Sequence, residues 1–171
     1  MRTVSVAILA LLCAGCGDEP SLSAAGPATS DQASSDAKAI QPGSTMPPLE
    51  RVKATEKGKL KNPYSHENQT VVEEGRKIYL GYSCNGCHGG GGGGGMCPPL
   101  SNEVWVYGKD DDTLFRLVTL GTDELQKQGY TRKGSEGVVG PMVPFHALIK
   151  TEDELWKMIT FIRSANPDSA K

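Results

Sequence analysis

The sequence predicts a small all-α domain. Three segments carry apolar residues at the three-and-four spacing of a helix face, and each follows a residue that can cap a helix. Alternating or β-branched runs typical of strands do not stand out anywhere. The segments fall within residues 59–165, a length that is ordinary for one compact domain.

Each predicted helix has a start signal and an apolar face. The first is predicted over 71–82 with Thr70 as N-cap, the second over 113–120 with Asp111 or Asp112 as N-cap and Gly121 as its end, and the third begins at a capping box from Thr151 to Glu154. Their apolar faces carry Val72, Ile78 and Tyr79, then Leu114, Leu117 and Val118, then Leu155, Met158, Ile159 and Ile162.

The first sixteen residues predict an export signal. Met1 and Arg2 give a positive start, and the apolar stretch 4–14 is too short to span a bilayer as a helix. The end of this stretch is similar to a bacterial lipobox, which predicts cleavage before Cys16 and lipidation of that cysteine. An ordinary secretory signal cleaved nearby is the alternative. Either one indicates a periplasmic protein, and the first indicates a lipid-anchored one.

Composition divides the rest of the chain. Residues 17–58 are rich in Ser, Ala, Pro, Gly, Asp and Gln, so they bury little apolar surface and predict a flexible tether. The domain is expected at 59–165 and a C-terminal tail at 166–171. A formal net charge of −2 excludes a basic nucleic-acid-binding protein.

The sequence Cys84-Asn85-Gly86-Cys87-His88 is the attachment signature of a c-type haem. The two cysteine sulfurs bind the porphyrin covalently and the histidine binds the iron. A zinc site would need further ligands at matching spacing, and a thioredoxin-like pair would need a βαβ pattern, and the sequence offers neither. Cys97 is left unpaired, so no disulfide framework is expected. The prediction is one covalent haem c, which replaces part of an aliphatic core.

A second axial ligand from the protein would occupy the open coordination position of the iron and favour electron transfer. Five side chains are candidates: Met96, Met142, Met158, His66 and His146. Met158 fits a core position, and Met96 follows His88 too closely to cross to the other haem face. Met142 lies 54 residues after His88, in a segment stiffened by Pro141 and Pro144. Met142 is therefore the predicted ligand, and His146 is the alternative.

Seven consecutive glycines, Gly89 to Gly95, follow the haem motif. They contain G-x-G-x-x-G, but the preceding strand and following helix of a dinucleotide site are missing. The glycines predict a loop with wide φ freedom that runs against the haem edge.

The domain resembles the class I cytochromes c, and within them the cytochrome c-L type that accepts electrons from PQQ-dependent methanol and alcohol dehydrogenases. The residues that carry the resemblance are Asn62-Pro63-Tyr64, Gly75, Tyr79, the haem motif with Gly89, Pro98-x-Leu100, Trp105, Tyr107, Asp112, Leu114-Phe115, Gly140-Pro141-Met142, Thr151-x-Asp153-Glu154, Trp156 and Ile162-Arg163. Cys97 stands where the family usually has glycine, and the segment 122–137 is longer than expected.

The resemblance implies a class I cytochrome c fold wrapped around the haem. It also implies that the Pro98 carbonyl accepts a hydrogen bond from His88, that Leu100 packs on the haem, and that Trp105 or Tyr107 donates to a haem propionate or packs in the core.

The expected function is single-electron transfer rather than catalysis, from a periplasmic PQQ-dependent dehydrogenase towards a downstream cytochrome or terminal oxidase. A haem sensor or enzyme with an open distal site is one alternative. A cytochrome subunit of a membrane-bound dehydrogenase complex is another.

Overall fold

The computed structural model describes residues 40–134 and 140–170. They form the helices α1 (Pro48–Ala54), α2 (Gln69–Gly81), α3 (Asn85–His88), α4 (Asp111–Lys127) and α5 (Glu152–Ala165), followed by a 3₁₀ turn at Pro167–Ala170. These two ranges contain no strand, so the all-α prediction is confirmed. The predicted export signal, Cys16 and the first part of the tether lie outside the described residues.

Helices α2 and α4 each begin earlier than predicted, because a residue before the predicted cap accepts the capping hydrogen bond. Asn68, rather than Thr70, caps α2, because its side chain accepts a hydrogen bond from the Val71 N–H at 3.3 Å. Asp110, rather than Asp111 or Asp112, caps α4 and accepts from the Thr113 N–H at 2.9 Å. The following aspartates instead bind other segments of the chain.

Helix α4 is interrupted at Gly121, where φ is +74° and the backbone is not helical. The predicted helix end is therefore present as a break, although helical turns resume and continue to Lys127. A β-carbon at Gly121 would lie 2.8 Å from the Met142 carbonyl oxygen. The break thus coincides with a close approach of the loop that carries Met142.

Helix α5 is the centre of the domain and packs most closely on α2. Its predicted capping box is confirmed, since the Thr151 hydroxyl accepts from the Glu154 N–H and the Glu154 carboxylate accepts from the Thr151 N–H. A β-carbon on Gly75 of α2 would lie 2.0 Å from the Lys157 carbonyl oxygen, so the two backbones nearly touch. The core around this crossing contains Leu60, Tyr79, Phe115, Ile149, Leu155, Trp156, Met158, Ile159 and Phe161.

The tether prediction is wrong for residues 40–58, which pack on the domain and contain α1. Arg51 and Val52 are buried, and Arg51 pairs with Glu152 at the start of α5. From α4, Arg116 donates to the carbonyl oxygens of Val52 and Thr55. One buried ion pair and hydrogen bonds from Arg116 to its backbone hold this segment, and its local composition, poor in aliphatic residues, gave no sign of these contacts.

The chain after α5 also contacts the domain, although it was predicted as a tail. The Asn166 amide donates to the carbonyl oxygens of Leu100 and Asn102, at 3.3 and 2.9 Å.

Among the described residues, no helix is both long enough and apolar enough to cross a membrane.

Candidate functional site

A largely apolar cavity of about 270 Å³ lies between α2, α3, α4, α5 and two loops. It brings together all eight haem-site residues predicted from the sequence: Cys84, Cys87, His88, Pro98, Leu100, Trp105, Tyr107 and Met142. Helix side chains complete its wall, namely Leu114, Leu117 and Val118 of α4 and Met158, Ile159 and Ile162 of α5. These residues come from segments up to 78 positions apart, from Cys84 to Ile162.

The two cysteines and the histidine are presented by the short helix α3. The chain leaves α2 through Ser83 at φ +58°, and the Cys84 N–H donates to the Tyr79 carbonyl at 3.1 Å. The His88 N–H then donates to the Cys84 carbonyl at 3.0 Å, which closes a single helical turn. This turn holds Cys84, Cys87 and His88 at one wall of the cavity.

The imidazole of His88 is oriented by the hydrogen bond that the resemblance predicted. Its Nδ1 lies 3.0 Å from the Pro98 carbonyl oxygen. A carbonyl can only accept, so Nδ1 carries the proton and Nε2 is left with a lone pair to bind a metal. Such a bond to the second nitrogen fixes the ring orientation and raises the basicity of the ligand.

The glycine tract does not run along the cavity, so that part of the prediction is wrong. Gly89 to Gly95 do not line the cavity and instead fold into a compact loop beside His88. The Gly94 N–H donates to the His88 carbonyl at 2.9 Å, and the Leu100 N–H donates to the Gly92 carbonyl at 2.7 Å. At Gly89, where φ is +79°, a β-carbon would lie 2.7 Å from the Gly94 oxygen. Gly89 and Gly95 therefore have no room for a side chain, because backbone atoms lie under 3.0 Å from the β-carbon position.

Of the five candidates for the second axial ligand, the structure places Met142 at the cavity in a loop. Met96 is 62% exposed and does not line the cavity. His66 and His146 do not line it either. Met158 reaches the wall but is a buried core residue, with its sulfur 3.8 Å from that of Cys84. The geometry therefore favours Met142 over the alternative His146.

The two aromatic side chains predicted near the propionates differ in their polar contacts. The Trp105 indole nitrogen is buried and has no hydrogen-bond partner among the described residues. The Tyr107 hydroxyl accepts from the Gln126 amide at 2.8 Å. A buried N–H without a partner is costly, so a donor at the cavity wall fits an acceptor supplied by a bound molecule.

Taken together, these side chains fit a covalently attached haem. The wall is apolar, as the macrocycle requires, and the two thiols lie on one helical turn. His88 offers a basic nitrogen, Met142 a thioether, and Trp105 a donor for an acidic group. Cys97 also lines the cavity, and burial raises the pKa of its thiol to about 11, so it is a neutral side chain.

Three residues that shape the site were not predicted to belong to it: Tyr79, Gly121 and Thr122. The Tyr79 hydroxyl donates to the Gly89 carbonyl at 2.7 Å, and burial raises the pKa of Tyr79 to about 12. Thr122 and Gly121 contact the backbone of Met142. The sequence pattern places Tyr79 on a helix face and Gly121 at a helix end. It does not show that they contact Gly89 and Met142, which lie further along the chain.

The family model described as Cytochrome c matches residues 72–166, which is more than half of the chain. No curated protein and no solved structure matches the chain. The match covers the haem motif, Pro98 and Met142, and it begins after α1. The chain therefore belongs to the cytochrome c family, whose members bind haem c covalently.

Proposed function

We propose that this haem c electron-transfer protein carries single electrons outside the cytoplasm, from a PQQ-dependent alcohol or methanol dehydrogenase towards a downstream cytochrome or terminal oxidase. Bound haem supplies the one-electron redox couple. The protein supplies the axial ligands, excludes water from the iron and leaves a surface for partners. The resemblance to cytochrome c-L supports the choice of donor.

The observation that carries the proposal is that His88 and Met142 line the same cavity and are both fixed by hydrogen bonds. His88 is oriented by the Pro98 carbonyl, and the Met142 backbone is bound by Thr122. A site with two protein ligands has no open position for a substrate or a gas. Rigid ligands also need little rearrangement when the charge on the iron changes, which suits a carrier.

Exposed apolar side chains at the cavity wall suit a transient partner. Val104 and Val143 line the cavity and are 57% and 61% exposed. Electron-transfer encounters use small interfaces, so a few apolar contacts close to the cofactor are sufficient. We propose that the donor docks here.

The donor is tested by stopped-flow mixing of the oxidised holoprotein with substrate-reduced quinoprotein dehydrogenases. We expect rapid haem reduction by an alcohol or methanol dehydrogenase. The variant Val104→Glu should slow this reaction and keep the wild-type absorption spectrum, while Glu103→Gln, next to it, serves as a control for altered charge. Failure of every quinoprotein to reduce the haem would remove the proposed donor.

Carbon monoxide distinguishes a carrier from a sensor or enzyme. The ferric carrier should show the long-wavelength charge-transfer band of methionine–iron ligation, and its ferrous form should bind CO slowly. Fast CO binding without that band would establish an open site and replace the carrier by a haem sensor or enzyme.

The anchored location is proposed from the sequence similar to a lipobox around Cys16. The full chain should partition into detergent, and Cys16→Ser should release it to the aqueous phase. Co-purification of a dehydrogenase in detergent would indicate a subunit of a membrane complex instead of a mobile carrier.

A further inference from the structure

We propose that Thr122 is a positioning residue that holds Met142 at the iron. This inference rests on the axial role proposed for Met142. The two residues are linked by a reciprocal pair of hydrogen bonds, in which the Met142 N–H donates to the Thr122 Oγ1 at 2.9 Å and the Thr122 N–H donates to the Met142 carbonyl at 2.8 Å. One threonine thus binds both polar backbone groups of the ligand residue.

The break in α4 at Gly121 makes this pairing possible. In an uninterrupted helix the Thr122 N–H would donate to the carbonyl four residues earlier, that of Val118. Here the Thr122 N–H binds Met142, and the Val118 carbonyl accepts from the Phe145 N–H at 3.0 Å. The break therefore frees the Thr122 N–H and the Val118 carbonyl, and both bind the loop that contains Met142.

The loop approaches so closely that Gly121 cannot carry a side chain. A β-carbon there would lie 2.8 Å from the Met142 oxygen and 2.8 Å from the Pro144 nitrogen, and the φ of +74° also favours glycine. Gly121 gives the loop room, and Thr122 supplies the hydrogen bonds. The hydroxyl is the part of this arrangement that a substitution can remove without changing the size of the side chain.

Thr122→Val removes the hydroxyl and leaves the Met142 N–H without this acceptor, whereas Thr122→Ser keeps it. Thr119→Val is the matched control, because Thr119 lies on the same helix and its hydroxyl binds the Phe115 carbonyl at 2.7 Å, away from Met142. The loss of one ordinary hydrogen bond corresponds to a change of roughly fivefold in the equilibrium between bound and released ligand.

The experiment compares the holoproteins of the wild type, these three variants and Met142→Leu. It measures the methionine–iron band of the ferric form, the CO-binding rate of the ferrous form and thermal unfolding. We expect Thr122→Val to weaken the band and to bind CO about fivefold faster. Thr122→Ser and Thr119→Val should keep the wild-type band and CO rate.

Three outcomes would overturn the inference. If Met142→Leu opens the iron to CO but Thr122→Val behaves as the wild type, Thr122 does not position the ligand and the axial role of Met142 stands. If Thr119→Val weakens the band as much as Thr122→Val, the effect is general destabilisation. If the wild type lacks the band and Met142→Leu changes nothing, the proposed ligand itself is wrong and the role of Thr122 fails with it.

Discussion

The guanidinium of Arg51 binds the carboxylate of Glu152 through two hydrogen bonds, of 2.5 Å from Nε and 2.8 Å from Nη2. Both side chains are buried, with 3% and 0% of their surface exposed. Ser44 donates to the same carboxylate, and the Glu152 N–H donates to the Met46 carbonyl at 2.7 Å. The segment before the family match is thereby joined to the first turn of α5.

Removing Arg51 should destabilise the protein strongly. Arg51→Met leaves the Glu152 charge buried without its guanidinium, and loss of one partner of a buried pair costs about 3–5 kcal/mol. Chemical denaturation of the holoprotein measures the change. Lys53→Met, an exposed position on the same helix, should change the free energy of unfolding by less than about 0.5 kcal/mol. A loss below about 1 kcal/mol for Arg51→Met would show that the Arg51–Glu152 pair contributes little to the stability of the fold.

Gly75→Ala should force α2 and α5 apart. The added carbon would lie 2.0 Å from the Lys157 carbonyl oxygen, which belongs to the backbone and cannot turn away. Such overpacking costs about 1–3 kcal/mol or more. A β-carbon on Gly81, the last residue of the same helix, would have nothing within 4 Å, so Gly81→Ala should stabilise the protein by at most about 1 kcal/mol. Equal unfolding midpoints for the two variants would contradict the close crossing.

We expect the buried Trp105 N–H to donate to a haem propionate, and Trp105→Phe should then lower the reduction potential because the propionate loses this donor. We expect a fall of up to about 60 mV, a tenfold change in a one-electron equilibrium, measured by spectroelectrochemistry. Trp156 is the control, since its indole N–H is also buried without a partner among the described residues but does not line the cavity. Trp156→Phe should lower stability and keep the potential. A shared shift would exclude a specific role for Trp105.

Acid should weaken the attachment of the N-terminal segment through Asp112. Burial by itself raises the pKa of Asp112, but hydrogen bonds from Tyr130, Arg116 and the Gly58 and Leu60 backbone outweigh it and hold the pKa below its usual value. The stabilisation is complete above the unfolded pKa of about 3.9 and is lost as the pH falls through the lower folded value.

Tyr130→Phe tests this linkage. The Tyr130 hydroxyl donates to Asp112 at 2.7 Å, so its loss should cost about 1 kcal/mol at neutral pH. The difference from the wild type should shrink as the pH falls below the folded pKa of Asp112. In an Asp112→Asn background the same substitution should show no such pH dependence. A difference that stays constant from neutral pH to acid would contradict the assignment.

Local spacing in the sequence is enough to predict several features of this protein. Cys84, Cys87 and His88 lie on one helical turn because their spacing matches its period, and the capping box at Thr151 needs only four consecutive residues. The all-α class and the haem attachment followed from such patterns. The stiff segment between Pro141 and Pro144 predicts Met142 as a ligand, and the structure brings that residue to the cavity.

Features that depend on partners far apart in the chain become visible in the folded structure alone. The composition around Arg51 predicts a flexible tether, since its partner Glu152 lies 101 positions away and leaves no local signal. The glycine tract was placed along the haem edge, but its backbone closes on itself beside His88. Thr122 gave no signal, since its bond to Met142 exists only where α4 breaks and the loop returns. Burial and hydrogen bonding between distant segments are properties of the folded chain, and local periodicity does not encode them.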